Sequence, residues 1–261
     1  MKILAIDSSG MPASVAVLED GLLTAEYTVH YQRTHSQTLL PMMDEVRNML
    51  GLDLESVDAV AIAGGPGSFT GLRIGSATAK GIGMAIDRPL INVPTLEGMA
   101  YNFYGTDCIV APMMDARRSQ VFAGIYSFRD VAGKREEKGN EDTFGNREDP
   151  LEILMDQEPV DVKELCARLD ALAKKLGRKV LLMGDGAVSY RSLIEENLTA
   201  VHSYAPAHLN EQKAGSVAAR AMDLARVFGE EKMESAAQHR PVYLRVSQAE
   251  RVRAEKENGK G

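Results

Sequence analysis

Two stretches of this chain share one layout, and that repetition constrains the fold more than any single motif. Residues 3–20 read ILAIDSSGMPASVAVLED and residues 109–126 read IVAPMMDARRSQVFAGIY. Each is an apolar strand ending in an aspartate, a short polar turn and a second apolar strand. Asp7 and Asp115 stand 108 residues apart. A duplicated hairpin-plus-helix unit therefore predicts two related subdomains.

The segments between the copies supply the rest of each unit. Asp20-Gly21 turns the chain into a third strand over 22–30. Ser36 or Thr38 is expected to cap a helix over 36–50, whose first turn tolerates Pro41 and which Gly51 ends. Leu39, Met42, Met43, Val46, Met49 and Leu50 form its apolar stripe. A strand over 57–63 runs into GGPGSFTGLRIG, and a helix over 70–85 follows. Gly71, Gly75, Ala79 and Gly83 recur on one side of that helix. Each interior glycine costs about 1 kcal/mol against alanine, so another backbone is expected to approach closely there.

A short strand over 89–93 precedes the second copy. After it, 129–159 is polar and reads as an exposed loop or hairpin excursion. Asp161-x-x-Glu164 opens a helix ending at Gly177, and a strand follows over 179–183. The glycine turn 184–187 leads to a helix near 189–197, and an alanine-rich helix runs over 213–228. Strands alternating with helices after an antiparallel start make an α/β layered fold.

Composition narrows the function. A net charge of −7 and only 5% aromatic residues, with no Trp, argue against a surface that grips or stacks nucleic acid by itself. The stretch 245–261 mixes arginines with glutamates and reads as a solvated tail. Cys108 and Cys166 form no disulfide or zinc pattern, no apolar run reaches about 18 residues, and the N-terminus is too short for a signal peptide. A cytoplasmic protein with no membrane span is expected.

The glycine loop at 64–71 is the first candidate for chemistry. Its strand-loop-helix order aims the amides of Ser68, Phe69 and Thr70 at an anion. It has no Gly-Lys-Ser/Thr, and Gly71 falls one residue too late for G-x-G-x-x-G. Phosphate binding through Gly65, Gly67, Ser68 and Thr70 and a tight turn for packing are equally good readings. Asp7, beside Ser8 and Ser9, could orient a magnesium-bound phosphate or simply cap its own turn. Asp115 with Arg117 and Arg118 has the same two readings. The five histidines show no metal-binding spacing, and no nucleophile elbow occurs.

Several ordered motifs together resemble the TsaB (YeaZ) family. They are ILAIDSS at 3–9, His35-Ser36-x-x-Leu39-Leu40-Pro41, GPGSFTGLRIG at 65–75, Val93-Pro94-Thr95-Leu96 and Asp115-Ala116-Arg117-Arg118, with echoes at 184–187 and in PVYLR at 241–245. The resemblance implies an actin-like (ASKHA, RNase-H-like) α/β fold of two related lobes, each a mixed five-strand-type sheet flanked by helices. It places the lobes at 1–103 and 104–240, with a strap and basic tail at 241–261 and the 213–228 helix packed back on the first lobe. It also implies a non-catalytic subunit that binds TsaD and the ATPase TsaE and supports transfer of the threonylcarbamoyl group to adenosine 37 of ANN-decoding tRNAs. Transfer RNA is then met only through the complex, and self-association of the lone chain into a homodimer stays an open alternative.

The catalytic relative TsaD carries a Val-Asn-His-x-Glu-Gly-His type segment whose two histidines hold a metal. Thr95 and Met99 stand at those positions here, so no metal and no tightly bound cofactor is expected, with ATP or ADP confined to the complex. The family's partner contact uses the first two helices, and Leu39, Met42, Met43, Val46, Met49, Leu50, Leu72, Arg73, Ser76 and Lys80 are the expected interface. Two other readings compete: an autonomous ATP-dependent phosphotransferase of the same fold, and a metallopeptidase.

Overall fold

The computed structural model describes residues 1–31, 34–129 and 148–245. Part of the polar excursion (130–147) and the basic tail (246–261) lie outside the described residues. Two mixed sheets carry the fold. The first joins β1 (Lys2–Asp7), β2 (Ala13–Glu19), β3 (Leu22–Val29), β4 (Ala59–Ala63), β5 (Leu90–Val93) and the short β11 (Met233–Glu234) in the order β11-β5-β4-β1-β2-β3. The second joins β6 (Ile109–Asp115), β7 (Gln120–Phe128), β8 (Leu151–Asp161), β9 (Val180–Met183) and β10 (His202–Tyr204) in the order β10-β9-β6-β7-β8.

Strand by strand the second sheet repeats the first. β1–β2–β3 is an antiparallel meander and β1, β4 and β5 are parallel; β6–β7–β8 and β6, β9 and β10 do the same. The duplication predicted from the two aspartates is thus a duplicated half, a mixed sheet of the same topology in each copy. β8 lies where an irregular excursion was expected. LEILMDQEPVD is an edge strand with one half-solvated face, so charges and Pro159 are tolerated and its apolar alternation is weak.

The helices are α1 (His35–Leu50), α2 (Phe69–Ala85), α3 (Thr95–Ala100), α4 (Val162–Leu176), α5 (Asp185–Ser189), α6 (Arg191–Asn197) and α7 (Ala214–Phe228). Thr34, not Ser36 or Thr38, holds the N-cap position of α1, and its side chain makes no capping bond. Thr38 already lies within the first turn, and its hydroxyl turns back toward the Thr34 and His35 carbonyls. Gly51 closes α1 in the left-handed region, its amide returning to the Arg47 and Asn48 carbonyls. The helix expected near 189–197 is α6, and the stretch expected as a glycine turn at 184–187 forms the short helix α5, separated from α6 at Tyr190.

Each sheet is covered on both faces. α1 and α2 seal one face of the first sheet through Leu39, Met42, Val46 and Ala79 against Leu4, Ile6 and Ile62. Its other face is closed by α7, a helix from the second half of the chain, through Val217, Ala218, Ala221 and Ala225. Conversely α3, from the first half, supplies Leu96, Met99 and Ala100 to the core on the second sheet, where Val110 and Tyr126 meet it. α4 and α6 cover the remaining face. Full burial of each aliphatic side chain contributes about 1.5–3 kcal/mol, so each exchanged helix is held firmly on the sheet it covers.

Candidate functional site

Asp7 ends β1 and is buried. Its Oδ1 accepts from the Ser9 amide at 2.9 Å and the Ser9 hydroxyl at 2.7 Å. Burial pushes the carboxyl up to about 6, and the two Ser9 hydrogen bonds oppose that rise. The folded state therefore holds this proton more tightly than the unfolded chain. Stability must fall as pH rises from about 4 to 6, and the penalty is complete above that window. Asparagine keeps the acceptor for both Ser9 donors without the charge. Asp7→Asn is expected to stabilise the protein by about 2–3 kcal/mol at pH 8, with the gain shrinking toward zero near pH 4. Urea unfolding at the two pH values checks this, and a net loss at pH 8 would contradict it.

The glycine loop folds against the same turn. The Ser68 amide donates to the Ser9 carbonyl at 2.7 Å, and the Gly71 amide donates to Ser68 Oγ at 3.3 Å. The Gly65 amide donates to Thr95 Oγ1 at 3.1 Å. The Gly65 carbonyl in turn accepts from the Thr95 amide at 2.9 Å and from Gln157 Nε2 at 3.0 Å. A Cβ on Gly67 would lie 2.3 Å from the Ser9 carbonyl oxygen. The structure thus brings Asp7, Ser8, Ser9, Gly65, Gly67 and Ser68 together, but it spends the Gly65 and Ser68 amides internally. Thr70 is exposed on the first turn of α2.

In the second copy Asp115 behaves likewise. It accepts from the Arg117 amide at 2.7 Å and from the Tyr190 hydroxyl at 2.9 Å, while its own amide donates to Asp185. Burial raises the Asp185 carboxyl. Both aspartates therefore accept hydrogen bonds from their own turns.

The two positions matched to metal-ligating histidines do not fit a metal. Thr95 is fully buried with its hydroxyl tied to Gly65, and Met99 is packed in the core beside Gly184. Glu97, on the same short helix, is held by Arg220. Among the described residues no three His, Cys, Asp or Glu side chains converge as a metal group.

The expected partner surface on α1 and α2 is redistributed. Leu39, Leu72 and Ser76 are buried in the chain's own core, and Met42 and Val46 are buried there too, reaching the surface only as the floor of the groove between α1 and β3. The small-residue stripe also faces inward: a Cβ on Gly71 would meet the Ser8 carbonyl oxygen at 2.1 Å, and one on Gly75 would meet Ser8 Oγ at 2.3 Å. The backbone that approaches this helix is β1's own turn. What remains open is Met49 at 81% exposure, with Leu40, Leu50, Met84 and Arg73 exposed and Met43 and Lys80 partly so. Between α1 and β3 a groove of about 850 Å³ is lined by Tyr27, Tyr31, Met42, Val46 and Met49, with Glu26 and Glu45 among its lining.

Arg220, a residue with no motif around it in the sequence, is buried at the centre of an ion-pair cluster. From α7, its Nε donates to Glu97 on α3 at 2.7 Å, and its two Nη groups grip Asp149, just before β8, at 2.6 and 2.8 Å. It also lies 5.6 Å from the Tyr101 ring, and the Tyr101 hydroxyl donates to Asp223. Burial alone would lower the guanidinium's affinity for its proton, but Asp149, Tyr101 and Glu97 hold it above the usual arginine range. Burial raises Glu97 against the pull of Arg220. This cluster joins both exchanged helices to the second lobe.

Comparison with known proteins bears on the whole chain. The family model for TsaD, tRNA N6-adenosine threonylcarbamoyltransferase, matches residues 27–252. The tRNA threonylcarbamoyladenosine biosynthesis protein TsaB of Bacillus subtilis is 28% identical over 252 residues, 96% of each chain. The Haemophilus influenzae protein of the same name is 34% identical over 202 residues, 76% of this chain and 78% of that one. A Symbiobacterium thermophilum threonylcarbamoyltransferase aligns over only 34% of its own length. The YeaZ structure from Pseudomonas aeruginosa superposes with a TM-score of 0.72 at 26% identity, covering 93% of this chain and 99% of that one.

Proposed function

This chain belongs to the TsaB family and takes part in threonylcarbamoyladenosine biosynthesis on tRNA; we propose that it does so as a scaffold subunit that does not itself catalyse the transfer. The observation that carries this reading is the pair Thr95 and Met99. One ties the glycine loop and the other fills the core, where the catalytic relative needs imidazole ligands. The subunit binds a TsaD and a TsaE, meets tRNA through them, and leaves ATP or ADP to the complex.

The partner surface is the outer side of α1 and α2. Met49 is its best-placed anchor, because an unbranched thioether adapts to an opposing helix and its exposure costs the free chain little order. Met49→Glu is expected to weaken association with TsaD at least tenfold, about 1.4 kcal/mol or more, while leaving the chain's own melting temperature unchanged. Isothermal titration beside a thermal melt measures both. Full affinity in the variant would remove α1 from the interface. In a reconstituted modification assay, omitting the chain should abolish threonylcarbamoylation of an ANN-decoding tRNA, and the chain alone should give none. Product formed without it would defeat the scaffold reading.

A further inference from the structure

The short C-terminal segment 241–245 crosses from one lobe to the other over the mouth of the glycine loop. At its first-lobe end the Val242 amide donates to the Gly64 carbonyl at 2.7 Å. Tyr243 stacks on Phe69 with ring centroids 4.8 Å apart and planes 9° apart. The Tyr243 hydroxyl also accepts from Arg73 Nε at 3.2 Å. Gly65 is at φ +122°, and a Cβ there would lie 2.2 Å from the Val242 carbonyl oxygen. The segment therefore needs glycine beneath it.

At the second-lobe end, Arg245 Nη1 donates to the Ala116 carbonyl at 2.6 Å and Nη2 donates to Gln120 Oε1. Its guanidinium lies 6.0 Å from the Phe122 ring. Ala116 and Gln120 flank the turn of the second copy, the counterpart of the Ser8–Met11 turn in the first. The space left between segment, loop and Phe122 is about 10 Å³, no more than a single water needs.

We propose that residues 241–245 are an interlobe latch: Tyr243 anchors it to α2, Arg245 anchors it to the β6–β7 turn, and together they hold the cleft closed over the glycine loop. Within a fold whose two halves are related by duplication, the cleft between equivalent turns is where the lobes would part. Five residues pinned at both ends oppose that motion, and they cover a loop that would otherwise face it. The contacts at the two ends are stacking and charge-assisted hydrogen bonds, which are specific and individually modest, so the latch can be released without unfolding either sheet.

Arg245→Ala in the full chain tests the latch, because its guanidinium hydrogen-bonds Ala116 and Gln120 on the second lobe. Amide hydrogen exchange is read at 64–71 and at 116–120, with β1 and β9 as internal references. Release of the latch predicts at least tenfold faster exchange at both segments and none at the references. Tyr243→Ala should give the same pair of changes from the opposite end. Exchange accelerated only beside the mutated residue would reduce the segment to a local cover and overturn the proposal, as would no change at either place. If Arg245→Ala weakens the fold as a whole, the reference strands report it, and Arg245→Lys then decides: lysine keeps a bond to Ala116 but cannot bridge to Gln120, so partial acceleration at 64–71 supports the latch and wild-type exchange opposes it.

Discussion

Arg220→Ala is expected to cost about 3–5 kcal/mol of stability and to lower the melting temperature by roughly 10 °C or more. Arg220 is 2% exposed and faces two carboxylates, Glu97 and Asp149, across 2.6–2.8 Å. Its removal leaves both acids in a low-dielectric pocket with no cation to balance them. Their protonation relieves the strain, so the defect should be larger at pH 8 than at pH 5. That direction follows from the sign of the shift: burial already raises Glu97, and losing Arg220 raises it further. A raised acid loses folded-state stability as pH climbs through its folded value. Arg220→Met should fail nearly as badly despite keeping volume, and combining it with Glu97→Gln and Asp149→Asn should restore much of the loss. A pH-independent defect would show that packing, not charge, dominates. Because the cluster links both exchanged helices to the second lobe, its loss is also expected to split the unfolding transition in calorimetry.

Gly71→Ala is the second large effect, and intrinsic propensity predicts the opposite sign. An exposed helix would gain about 1 kcal/mol from alanine. Here the added Cβ would lie 2.1 Å from the Ser8 carbonyl oxygen and 3.3 Å from His35 Cδ2. Both the helix start and the β1 turn are backbone, so relief requires moving α2 away from the sheet. It would also strain the bond from Ser8 Oγ to the Gly71 carbonyl, 2.9 Å long. Overpacking of this kind costs about 1–3 kcal/mol or more, and a net loss near 2 kcal/mol is expected. Gly81→Ala on the same helix meets nothing within 4 Å and should stabilise, which makes it the control. Equal behaviour of the two alanines in a urea titration would refute close packing at Gly71.

The same glycine shows how far sequence reasoning reaches. Its spacing with Gly75 and Gly83 correctly announces a close backbone approach, but periodicity cannot say whose backbone. The approaching chain is Ser8, sixty-three residues earlier and brought there by the β1–β4 pairing. Likewise the stripe on α1 marks a buried face, and Leu39, Met42 and Val46 occupy it; Met49, placed in the same stripe, lies past its edge. Asp7 and Asp115 located both lobes because a strand-end aspartate before a turn is a local pattern. β8 was legible only through symmetry: if 109–126 repeats 3–20, a third strand must follow β7 as β3 follows β2. Arg220 gave no local signal at all. It sits among alanines, and its partners Glu97 and Asp149 become neighbours only when α3 and α7 change lobes.

The central claim, a scaffold that works by holding its catalytic relative, is tested most directly by mass. The chain, mixed in equal amounts with TsaD of the same organism and run on size-exclusion chromatography with light scattering, should elute as one heteromeric species. Adding TsaE and ATP should enlarge that species, and Met49→Glu should return the chain to its own mass. Separate elution of the wild-type chain from TsaD, with and without TsaE and ATP, would contradict it.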